Sequence, residues 1–228
     1  MLLGRQSVEI TLSPENAGIS AEAVPGRRVA FVPFGTRVGP RTIGTEPAAT
    51  RPVVLAPGND IHRDWTLLRD AAVRLPEIGF RVATRRAAAL ALDWPPNAEV
   101  GAATVAELTE LYGRCSAVAV PLRRNSHASG VTVCLEALGA GLPLVVTNTG
   151  GIAAYFGDEV TLVSENDVEG FARGIAAALN GDRPAADILT RRGLTQQDYV
   201  WRFVHLTRAV LSGVWDDSVS ATEPVSTP

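Results

Sequence analysis

The chain has 228 residues and a mass of 24.0 kDa, with 21 basic against 24 acidic side chains and a formal net charge of −3. A hydrophobic content of 46% excludes disorder as the state of most of the chain, and the slight acidity gives no electrostatic case for nucleic-acid binding. Cys115 and Cys134 are too few for a disulfide framework and lack metal-ligand spacing, so a reducing, cytoplasmic setting is expected. Apolar runs such as 115–122 fall far short of the ~18 residues that span a bilayer, and no transmembrane segment is expected. All 21 basic residues are Arg and none is Lys. Any phosphate-binding cation here must be a guanidinium or a backbone amide.

Residues 1–28 are weakly patterned and read as an irregular leader or a remnant of something larger, punctuated by Pro14, Gly18, Pro25 and Gly26. Val29–Gly35 reads as a short buried strand stopped by Pro33 and Gly35, 36–51 as a Gly/Pro/Thr loop, and Pro52–Gly58 as a second strand. The pattern then alternates. A helix is expected over 64–75, a strand over 80–84, and a helix over 104–112 with Thr104 and Glu107 as a capping box. Next come a strand over 117–122, a helix over 131–140 ended by Gly141 and Pro143, and strands over 143–147 and 160–163. A helix over 167–179, capped by Asp167, and an amphipathic helix over 195–214 complete the fold, and 213–228 reads as a disordered tail. Apolar strands alternating with helices predict an α/β, doubly wound, Rossmann-like parallel sheet at roughly residues 50–190.

Open parallel sheets bind ligands beyond the carboxyl ends of their strands. Three stretches sit there. In the first, Gly58 permits a close turn and Arg63 offers a bidentate phosphate donor, although on local pattern alone the stretch reads more readily as an ordinary loop with Asp64 capping and Arg63 solvated. Its spacing matches neither a dinucleotide fingerprint nor a P-loop. In the second, Asn125-Ser126-His127-Ala128-Ser129-Gly130-Val131-Thr132 leads into a helix whose first turn attracts an anion, with Ser129 as its expected N-cap. Glu136 lies about two turns on, placed either to accept hydrogen bonds from a ribose diol or simply to face solvent. His127 is either a loop residue or a catalytic group. The third, Gly150-Gly151, suits close approach to a ligand or a tight turn.

Residues 130–151 resemble the signature of retaining GT-B glycosyltransferases of the glycogen-synthase-like group. The resemblance lies in Leu135-Glu136-Ala137-Leu138-Gly139-Ala140-Gly141-Leu142-Pro143-Leu144-Val145-Val146, followed by Gly150-Gly151. It extends outward through Phe31–Gly35, Gly58–Trp65, Glu107–Tyr112 and Val118–Pro121, in matching order over 29–212. The resemblance implies the C-terminal, donor-binding domain of such an enzyme, binding a nucleoside diphosphate sugar with no cofactor and no essential metal. It implies that Glu136 holds the ribose hydroxyls, that Gly130, Val131 and Thr132 meet the diphosphate with Ser129 beside them, and that Arg63, in the stretch that Gly58 opens, replaces the lysine that neutralises phosphate in the family.

Two departures stand out. The family carries a second glutamate eight residues before the first, where this chain has Ala128, so Asn125 and His127 are left as candidate sugar contacts. The stretch before residue 29 is also too short for the family's acceptor-binding domain. Either the chain is a glycosyltransferase donor domain, or it is a non-catalytic nucleotide-sugar-binding or scaffold subunit that pairs with an acceptor-domain protein. A homodimer is the other partner arrangement, through the aromatic face of helix 195–214. A flavodoxin-like or epimerase-like domain sharing only the fold is the remaining reading.

Overall fold

A computed structural model describes residues 8–37 and 51–213. Residues 1–7, most of the loop expected over 36–51, and all but Gly213 of the tail expected over 213–228 lie outside it. The elements in chain order are β1 (Glu9–Thr11), α1 (Pro14–Ala23), β2 (Val29–Phe31), β3 (Val53–Pro57), α2 (Trp65–Arg74), β4 (Gly79–Ala83), α3 (Ala87–Leu90), β5 (Ala98–Gly101) and α4 (Val105–Arg114). They continue with β6 (Ala117–Val120), α5 (Val131–Gly139), β7 (Leu144–Thr147), a 3-10 turn (Ile152–Ala154), β8 (Thr161–Val163), α6 (Val168–Asn180), α7 (Ile188–Arg191) and α8 (Gln196–Ser212). Among the described residues no helix is long and apolar enough to cross a membrane.

Six strands form one parallel sheet in the order β5-β4-β3-β6-β7-β8. The chain enters at β3, winds outward through β4 and β5, then returns to the other side of β3 for β6, β7 and β8. This is the Rossmann-like double winding expected, with its switch point between β3 and β6. Both faces are covered. Val118 and Val120 of β6, Leu55 of β3 and Leu144 and Val146 of β7 enter one apolar cluster with α5 and α7. Ala117 and Ala119, Val54 and Ala56, and Val145 enter the other, with Trp65, Leu67 and Leu68 of α2 and Phe171 and Ile175 of α6. The period-two alternation thus divides one strand's side chains between two cores, each fully buried Leu, Val or Phe contributing about 1.5–3 kcal/mol.

The capping box at Thr104 and Glu107 forms as expected, and Asp64 and Asp167 cap α2 and α6 through bonds to Leu67 and Gly170. Residues 8–28 are more ordered than their pattern indicates. β1 pairs in parallel with β2 as a separate two-stranded sheet, and α1 begins at Ser13, whose hydroxyl accepts from the Asn16 amide. This small unit is joined to the main domain: Ser13 Oγ donates to the Gly150 carbonyl (2.9 Å), and Tyr155 Oη donates to the Leu12 carbonyl (2.7 Å).

Candidate functional site

The loops that follow β3 and β6 meet at the switch point. The Asp64 amide donates to the Pro121 carbonyl (3.0 Å), the Arg123 amide to the His62 carbonyl (2.7 Å), and Arg63 and Leu122 form an antiparallel bridge. The β7 end secures the second loop in turn, since Thr147 Oγ1 accepts from the Leu122 amide and the Gly150 carbonyl from the Ala128 amide. Residues far apart in sequence are thereby held mainly by main-chain bonds, with the short Thr147 side chain adding one.

Arg63 lies at the centre, with only 3% of its surface exposed, so the reading of it as a solvated surface charge is excluded. Its guanidinium is wedged between the backbones of Gly58 and Gly130. A Cβ on either glycine would collide with it, and both adopt positive φ (153° and 83°), which side chains other than glycine's tolerate poorly. Nε and Nη1 of Arg63 are buried and have no hydrogen-bond partner among the described residues. Burial depresses the affinity of this guanidinium for its proton, while Cys134, Asp60 and Tyr112 act in the opposite direction. A buried cation with spare donors is costly unless an anion meets it.

Immediately beside it, α5 begins. The N-cap is Gly130, in the left-handed conformation, and not Ser129 as the sequence suggests; the cap makes no side-chain bond. Ser129 turns inward instead. Its hydroxyl is near enough to Asp60 to favour the ionised carboxylate, yet among the described residues Oγ has no partner of hydrogen-bonding geometry. Val131 is buried against the core while Thr132 is exposed. The amides of Thr132 and of Val133 in this first turn have no intrahelical acceptor, the condition that makes a helix N-terminus an anion site.

Glu136, half-buried on the next turn but one, accepts a hydrogen bond from Tyr112 Oη at 2.9 Å through Oε2. Burial pushes its carboxyl up and the Tyr112 bond partly offsets this, while burial and Glu136 together push the Tyr112 phenol up. Glu136 is therefore not a solvent-facing helix residue. Its other carboxylate oxygen, Oε1, could accept from a further hydroxyl.

Asn125 organises the loop. Its Oδ1 accepts from the amides of His127 and Ser129 (3.2 Å each) and its Nδ2 donates to the Arg123 carbonyl. A Cβ on Gly150 would strike the same Oδ1, and one on Gly151 would lie 2.8 Å from Ser13 Oγ and Pro14 Cδ. The Gly-Gly pair thus approaches the protein's own side chains. Ala128 is buried with φ of 51°. His127 is exposed, its ring edge-on to that of His62 with centroids 4.7 Å apart. Asp60 joins them: its Oδ1 accepts from the His62 amide at 2.7 Å. Although burial raises it, that bond, the Ser129 hydroxyl and the charges of His62 and Arg63 hold the Asp60 carboxyl below its usual value. Tyr112, Asp60 and His62 were not singled out by sequence reasoning. No local signal marks them, because Tyr112 meets Glu136 and His62 meets His127 only once β6 has returned beside β3.

Residues 87–193 match the family model described as Glycosyl transferases group 1. No curated protein matches the chain by sequence. Among solved structures, a glycosyltransferase from Rickettsia africae ESF-5 aligns with a TM-score of 0.73 at 12% identity, over 91% of this chain and 64% of that one. The lipopolysaccharide outer core galactosyltransferase WaaB aligns at 0.67 and 12% identity, over 90% and 62%. Anabaena HepE, solved in complex with UDP-glucose, aligns at 0.59 and 14% identity, over 91% and 63%. The architecture is that of GT-B glycosyltransferases, and the chain spans just under two thirds of the length of these three structures.

Proposed function

We propose that the chain is the donor-binding part of a glycosyltransferase, holding a nucleoside diphosphate sugar at the β3–β6 switch point. The observation that carries this reading is Arg63: a buried guanidinium with unpartnered Nε and Nη1, set against the N-terminus of α5 by two glycines. On this reading the diphosphate lies over Gly130, Val131 and Thr132, where the helix dipole and Arg63 stabilise the charge that grows on it as the glycosidic C1–O bond breaks. Glu136, oriented by Tyr112, accepts from the ribose diol. Gly58 gives the guanidinium room, and His127 lies where an exposed side chain can reach the sugar. Asn125 and Ser129 then act on the donor indirectly, by shaping the loop. The family match over 87–193 and the resemblance to a protein solved with UDP-glucose support the same class of ligand.

Titrating the protein with UDP, GDP and ADP and their sugars tests the reading. Saturable binding of one nucleotide series is expected, and no binding by any of them at millimolar concentration would sink it.

Ala128 favours a second reading for the same site. Where the resembling family has a glutamate, this chain has a buried methyl group in the left-handed conformation, so no carboxylate from this position meets the donor sugar. A subunit that binds donor and relies on a separate acceptor-domain protein would show nucleotide binding without turnover, with activity appearing on addition of the partner. Turnover by the chain alone would exclude it.

A further inference from the structure

Of the chain's three histidines, two stand together with a carboxylate at the rim of the donor loops. One ligand atom each from Asp60, His62 and His127 lies within 4.8 Å of the other two. Tetrahedral bonds of ~2.1 Å place ligand atoms about 3.4 Å apart, a spacing that modest rotation of the exposed His127 ring would reach. The backbone beneath is already fixed. The His62 amide is bound to Asp60 Oδ1, the His62 carbonyl takes the Arg123 amide, and the His127 amide is bound to Asn125 Oδ1. Two loops from opposite halves of the sheet therefore present the three groups with little conformational entropy left to lose. The donor set, two imidazoles and one anionic carboxylate, suits zinc and its neighbours and not magnesium or calcium, which take oxygen.

We propose that Asp60, His62 and His127 form a binding site for a divalent first-row transition ion of the zinc class. Three protein ligands leave at least one coordination position open to water or another exogenous oxygen. Arg63 lies close enough to Asp60 to favour its ionised, ligating form. The resembling family implies no metal, so this site belongs to the loops of this chain.

The test uses tag-free, chelator-stripped protein with no nucleotide present. Zn²⁺ is titrated in competition with a chromophoric chelator, and Co²⁺ is followed by its visible ligand-field absorption. One ion per chain is expected, with His62→Ala and His127→Ala each weakening Zn²⁺ binding roughly tenfold or more and bleaching the Co²⁺ band. His205→Ala, in the third histidine, which stacks on Trp201 of α8, should retain full affinity. Both cysteines are buried, so thiolates do not supply the signal. Absence of stoichiometric binding, or binding indifferent to both His62→Ala and His127→Ala, overturns the site. Ion binding in a protein that binds no nucleotide would uphold the site and end only the donor reading.

Discussion

Tyr112 Oη donates to Glu136 Oε2 across 2.9 Å, joining α4 to α5 and turning a helix-surface carboxylate into an oriented one. If the free oxygen of Glu136 receives the ribose hydroxyls, Glu136→Ala should weaken nucleoside diphosphate binding by about 1–3 kcal/mol. Calorimetric titration of the variant measures this, and unchanged affinity would remove the ribose role.

The same pair sets a pH dependence. A ribose hydroxyl donates more strongly to the ionised carboxylate than to the protonated acid, and burial holds Glu136 above the usual carboxylate value. Nucleotide affinity should therefore fall as pH drops through a range higher than an ordinary glutamate would give. Tyr112→Phe removes the bond that offsets burial, so the fall should shift to higher pH still. Comparing the two proteins across the acidic range cancels protonation of the nucleotide, which is common to both.

Arg63 sets stability against binding. An unpaired buried charge destabilises the apo fold, and an apolar replacement of similar length relieves this. Arg63→Met should leave apo stability unchanged or raise it by about 1–4 kcal/mol in denaturant titration. It should also cost about 1.5–3 kcal/mol of diphosphate affinity, the range for a charge-assisted bond. A variant that lost stability and kept its affinity would contradict the placement of Arg63 in the site.

Gly130 should tolerate no side chain. Gly130→Ala forces a Cβ into the left-handed region, at a cost of order 1–2 kcal/mol, and into Arg63 and the Val120 methyl at 2.8 Å. Lower thermal stability and lost nucleotide binding are expected together, measured by melting and titration. An alanine variant that binds normally would show that the guanidinium moves freely.

Glu159 provides a control away from the β3–β6 switch point. Burial raises its carboxyl, but Arg192 (2.5 Å) and the amide of Gly157 prevail and hold it below the usual value. Its contribution is then fully present above the unfolded carboxylate value and is lost as pH falls through the depressed one. Glu159→Gln should lower the melting temperature at neutral pH, with the difference from wild type shrinking in acid. A constant difference at all pH values would contradict the ion pair's role.

The doubly wound sheet was legible because β3, β6 and β7 are buried on both faces and so read as unbroken apolar runs. β5 was not: Ala98-Glu99-Val100-Gly101 is an edge strand, paired only to β4, and its residues are half-buried or exposed. β1 and α1 escaped for a similar reason, since α1 buries no side chain and is held by its Ser13 cap and its contacts with β1 and β2. Within the site, Gly58, Arg63, Gly130 and Glu136 could be named from strand ends and from the resemblance. What their spacing does not encode is direction. Ser129 and Gly130 are adjacent and both suit an N-cap, and only the fold decides that the glycine caps while the serine turns inward. Likewise nothing in the text near residue 62 announces His127, because their meeting depends on β6 returning beside β3.

The Gly150 carbonyl accepts from both Ser13 Oγ and the Ala128 amide. One oxygen atom thus ties the start of α1 to the loop between β6 and α5. Trimming residues 8–28 as a dispensable extension would strip that oxygen of one donor and uncover the turn at Gly151 that packs on Pro14. The segment that looks most peripheral in the chain serves as a clamp on the loop that would greet the sugar.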